Sequence, residues 1–483
     1  MTKMQNLNRS SLISTFIFLA VVFLAGPAEA ADRFWVLASG TGNWNDTANW
    51  SATSGGSGGA SVPGSADIAK FDGGSDGTKD GSCTVDLATV NLTGLVMGAN
   101  YNGTAHLQSA SITVTNNWTV SGGTLNAGTS TVSFTGDPTV DQTVTGSHTL
   151  YNVTVSMETY RRLVAASGTT LTVAGTLTLT NAYSINTGTV AAQGTVSMGA
   201  GFRKRSVSGA TLKFTGSADQ TFTDAGGAVD NTNPLAVQIN KTGGTVTLAG
   251  NTSLSNLTLT AGTLDLNGKT LTVNGTLTNN GTILASGSAQ PITAGTLTTA
   301  NNASQITSTG VGADTAVTLE DGTYGNLTVN NPGTTFSLSG ATTVNGNLAI
   351  TGGTLDVTTS NHALTVKGDW ANNDIFNGRA GTVTLNGTSQ TLSGATTFYA
   401  LVKSSSNGAV LTFPAGVTTT VQNSLTLTGA SVGNLLTLRS SSAGSAARLT
   451  LNTGGSQAID YVDVKDSNAS GGLQLIAYGS VNS

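Results

Sequence analysis

Residue types able to do acid–base, metal or ligand chemistry are sparse in this chain. His106, His148 and His362 stand in different parts of it, with no acidic partner at a motif spacing, and read as surface or corner residues. Asp72, Asp76 and Asp80 share a glycine-rich loop, F-D-G-G-S-D-G-T-K-D. Such oxygen-rich loops hold calcium, but this spacing fits neither an EF-hand nor a calcium-binding repeat, so a solvated loop is the expectation. Asp460, Asp463 and Asp466 would alternate across a strand, which suits a polar edge better than a shared metal. The basic residues Arg161, Arg162, Arg203, Lys204 and Arg205 concentrate in two short strings, Y-R-R-L and F-R-K-R-S-V. In so charge-poor a chain they form a candidate patch for an anionic glycan, with a solvated corner loop as the plain alternative. No catalytic, cofactor or metal-binding residue is assigned.

The elements that must position these residues are clearest between Ser253 and Ser286. Leu257/Leu259, Leu264/Leu266 and Leu271/Val273 are pairs two apart, so each pair faces one side of a strand. Gly262, Gly268, Gly275 and Gly281 fall between them as corners, three of them after Asn. A heptad helix is the competing reading, but four interior glycines would each cost about 0.8–1 kcal/mol against alanine. Three strand-and-corner units make a coil of about 21 residues, the size of one turn of a β-solenoid. The fold class expected is all-β, a right-handed parallel β-helix with an atypical N-terminal cap.

Residues 1–30 have the layout of a secretory signal peptide: Lys3 and Arg9, an apolar run from Leu12 to Ala25, then Ala28-Glu29-Ala30. Residues 31–91 hold Trp35, Trp44 and Trp50 and are expected to cap the first coil, with a sugar-binding surface as the alternative role for these rings. Residues 92–483 form the solenoid of about five super-repeats, opening near Leu92, Leu150, Leu235, Leu327 and Leu401. A strand with Gln and a following apolar residue recurs at Gln142, Gln220, Gln390 and Gln457, with a weaker copy at Gln290. The recurring Gln is expected inside the rod, as an amide ladder or a turn-fixing hydrogen bond. The chain has 483 residues, 63 of them Gly, a net charge of −5 and one cysteine, Cys83. Nucleic acid is therefore excluded as a partner, and so is an intrachain disulfide.

The strings G-T-L-T-V, G-T-L-D-L-N-G and G-T-V-T-L-N-G resemble β-helical passenger repeats of bacterial autotransporter and filamentous-haemagglutinin-like adhesins. The tryptophan-rich start looks like that of large extracellular bacterial repeat proteins. The resemblance implies surface display. The functional expectation is an exported, non-enzymatic β-solenoid, adhesin-like or structural in the cell envelope, extracellular or at the cell surface. Its rod would present Thr, Asn and Ser to surface glycans or to host or neighbouring-cell receptors. It would have no membrane span after leader cleavage, and a secretion or envelope partner is expected. A β-helical polysaccharide lyase or hydrolase is the alternative, followed by ice binding through T-x-T rows such as Thr176/Thr178/Thr180.

Overall fold

A computed structural model describes residues 31–157, 160–286, 291–298, 305–310 and 316–483. The leader segment and the weak copy at Gln290 lie outside these residues. The chain winds into a parallel β-solenoid of about 18 turns, with no α-helix among the described residues. Strands pair in parallel with those of the next coil, with one exception at the N-terminal edge. Leu257 lies beside Leu277, Leu264 beside Ile283 and Leu271 beside Ile292, so coils here take 19 to 21 residues.

Alternation sets what is inside. Leu257, Leu259, Leu264, Leu266, Leu271 and Val273 are all buried, and the residues between them face out. The apolar rows of successive coils stack into one continuous core along the axis. The openings of the super-repeats, from Leu92 to Leu401, all lie in that core.

Two of the four corner glycines behave as anticipated. Gly262 and Gly268 have φ of +96° and +73°, and Asn267 at +47° shares the second turn. Gly275 and Gly281 serve a different need. A Cβ on Gly275 would lie 2.5 Å from Asn256 Oδ1, and one on Gly281 would lie 2.5 Å from the Gly262 carbonyl. Glycine is used there because successive coils touch. In consequence the strands do not break at every corner: Asn256–Asp265 and Leu271–Asn279 each run through a bend as one element.

In the tryptophan-rich segment, Ala31–Trp35 pairs in parallel with Asp67–Phe71, and that strand with Gly94–Met97. At the outer edge, Trp50–Ser51 runs antiparallel to Ala31–Trp35. Trp35, Trp44 and Trp50 are buried, with ring centroids 4.8–5.2 Å apart in edge-to-face contacts, and Phe71 packs below them. Their indole faces are unavailable to a sugar, which removes the sugar-binding alternative at these residues.

Candidate functional site

The most regular surface is built by seven strands of one sheet. They are Thr89–Leu92, Ser111–Val114, Thr131–Phe134, Asn152–Ser156, Leu177–Ala182, Val196–Phe202 and Gln220–Asp224. Residues such as Ile112/Val114, Val132/Phe134 and Leu177/Leu179 turn inward, so the positions between them are fixed outward. Pairing is in register: Asn91, Thr113, Ser133, Thr154, Thr178, Ser197 and Thr223 form one unbroken column. A second column, two residues earlier on each strand, runs from Thr89 through Ser111, Thr131 and Asn152 to Thr221. Twelve of these fourteen positions are Thr or Ser, two are Asn, and none is charged or aromatic. Strand spacing gives the columns a repeat of about 4.8 Å along the axis and about 6.6 Å across. No hydroxyl of the first column makes a hydrogen bond to another described group of the protein.

The five basic residues expected to form one patch do not do so. Lys204 is inside the rod: its Nζ lies 2.5 Å from Asp224 Oδ2 and donates to the Ser253 carbonyl at 2.7 Å. The cause is alternation, because Phe202, Lys204 and Ser206 share the inward phase of F-R-K-R-S. Arg161 donates to the Pro138 carbonyl at 2.8 Å. The remaining three surround the Tyr183 ring, with Arg162, Arg203 and Arg205 guanidinium carbons 5.8, 5.1 and 4.6 Å from its centroid. Tyr160 packs against the same ring at 5.6 Å. Carboxylates compensate much of this charge, with Asp141 3.6 Å from Arg162 and Asp230 3.3 Å from Arg205.

The aspartates are spent one at a time. Asp72 accepts from the Gly74 amide, Asp76 from the Thr78 amide and hydroxyl, and Asp80 from the Asn102 amide. The Thr78 bonds hold the Asp76 carboxyl below the usual carboxylate range. Among the described residues no three metal-ligating side chains converge. Asp463 pairs with Arg439 at 2.5 Å, and Asp466 accepts from the Gly444 amide. His148 is more than a corner residue: its Nε2 accepts from Trp118 Nε1 at 3.0 Å, and its Nδ1 lies 2.7 Å from the Gly146 carbonyl. That pattern fixes the neutral Nδ1–H tautomer, and burial lowers the pKa of the ring.

The recurring Gln does lie inside at three positions. Gln142, Gln220 and Gln390 each donate both amide hydrogens to two carbonyls one coil back. The recipients are Val114 and Asn116, Ala192 and Gly194, and Val366 and Gly368. Gln457 departs from this pattern, since it is half-exposed and bonds forward to Gln474 and Ile476. Two lysines that the sequence reading passed over complete the clamp. Lys241 Nζ donates to Gln220 Oε1 at 2.7 Å, and Lys403 Nζ to Gln390 Oε1 at 2.5 Å. Their signal was present as buried apolar residues stepping by two to the lysine, Val237-Ile239-Lys241 and Leu401-Lys403, which keep the lysine in the inward phase.

No protein-family model matches the chain, and no curated protein and no solved structure does so. The likeness to adhesin passenger repeats therefore stands at the level of the β-solenoid fold.

Proposed function

We propose that this chain is an exported, non-enzymatic β-solenoid, adhesin-like or structural in the cell envelope. It would act as a stiff shaft whose neutral Thr, Ser and Asn columns meet surface glycans or receptors on a neighbouring cell. The carrying observation is the contrast between the uncharged in-register columns and the charged groups elsewhere on the rod, fourteen of which pair with one another. A rod of about 18 turns at about 4.8 Å per turn is some 85 Å long, long enough to hold a contact away from the surface that bears it. One observation favours the second reading, a polysaccharide lyase or hydrolase: Arg203 stacks on Tyr183 and is exposed, with no ion pair among the described residues. The deciding measurement is glycan-array and whole-cell binding of the purified protein, with reducing-end release followed on the same glycans. Binding without turnover is expected. Turnover that disappears in Arg203→Ala would replace the adhesin reading with the enzyme.

A further inference from the structure

The hydroxyl columns between Thr89 and Thr223 have a regularity that a glycan contact does not call for. A glycan contact can use such hydroxyls but does not require them at one repeated spacing, and an anion needs lysine or arginine. These two columns hold neither a charge nor an aromatic ring. Strand propensity favours threonine at half-exposed positions, but it favours tyrosine, phenylalanine, tryptophan, valine and isoleucine as well. Another face of the rod shows this, with Phe34, Lys70 and Val96 in one outward row and Arg162 and Val164 both facing out from a single strand. The neutral columns are also bounded. Past Thr221 the outward row continues through Thr247 to Asp265 and Leu284, and the hydroxyl pattern ends.

We propose that the face formed by these seven strands adsorbs to ice. The partner that suits it is itself periodic, uncharged and able to accept and donate hydrogen bonds at every lattice point. Six steps of about 4.8 Å give a face about 29 Å long, ruled across at about 6.6 Å. Hexagonal ice repeats at nearly the first spacing along one axis of its prism face and slightly above the second along the other. The unengaged hydroxyls of Thr113, Ser133, Thr154, Thr178, Ser197 and Thr223 are free to join such a lattice. Each threonine adds a methyl group beside its hydroxyl, and methyls favour an ordered water layer over a disordered one. The rigid parallel ladder fixes the array before contact, so little ordering entropy is lost on adsorption.

Two measurements on the purified chain test this. The first is partition of fluorescently labelled protein into a slowly growing ice hemisphere, and the second is thermal hysteresis with crystal shape recorded in an osmometer. The wild type is expected to concentrate in the ice and to shape the crystals. Thr154→Tyr and Thr178→Tyr, at outward positions in the centre of the face, should reduce partition to that of an inert protein while the far-UV spectrum is retained. Thr365→Tyr, in an outward column of a different sheet, should behave as wild type. A wild type that stays in the liquid overturns the proposal whatever the variants do, and so do folded central variants that still enter the ice. Glycan or cell binding without ice adsorption would sink this proposal and leave the adhesin reading standing. Ice adsorption without glycan or cell binding would do the reverse.

Discussion

Lys403 is a cation placed where water cannot reach it, held by Gln390 Oε1 and the Gly387 carbonyl. Burial lowers its pKa to about 8, against about 10.4 in an unfolded chain. Between those two values the unfolded chain keeps the proton and the folded chain has released it, so stability rises with pH across that window. The rise is at most about 3 kcal/mol. At the matching point of an earlier super-repeat the chain uses Met157 beside Gly136, so an apolar side chain is already accommodated in this setting. Lys403→Met is therefore expected to fold and to flatten the increase in urea stability between pH 7.5 and pH 10. Lys241, whose pKa burial also lowers, would keep part of the slope. Phase was legible from sequence here, and ionisation was not: Lys204 falls in step with Phe202, yet its partner Asp224 is a coil away and becomes visible only through pairing. The histidines show the same limit, since nothing in the chain order announces the bond between His148 and Trp118.

At the scale of the element, two of the three inward Gln copies share an apolar residue two on and a sharp bend four on. Gln142, Val144 and Gly146 match Gln390, Leu392 and Gly394. Both glycines have positive φ, +84° and +75°. A Cβ would fall 1.8 Å from the Val120 carbonyl oxygen in one case and 1.7 Å from that of Asn372 in the other. Gly416 has a similar φ of +69° with open space around it. Gly416→Ala should thus cost only the backbone strain, about 1–3 kcal/mol, and Gly394→Ala distinctly more. Melting temperatures of the two variants beside wild type would check the order. The repeat and its Gln were readable because their spacing is local. The continuous bent strands were not, because Gly275 answers to a neighbour one coil away, at Asn256, and mimics a turn signal in the chain.

For the whole molecule, each coil leans on the coils next to it, and the core is a column with no centre. Excising residues 256–275 would join Ser255 to Thr276 and bring Leu277 into the place of Leu257, beside Val237. That variant is expected to remain folded and to lose one rung, about 4.8 Å of length, as read by small-angle scattering. Removing 256–265 alone would turn core rows outward and should leave a chain that aggregates. The Gln clamps act under the same rule, for each spans one coil boundary and none reaches further. Reach is thereby quantised. A lineage carrying this protein can tune how far it extends by copying or dropping whole rungs, as a ladder is cut to a wall, without redesigning any joint.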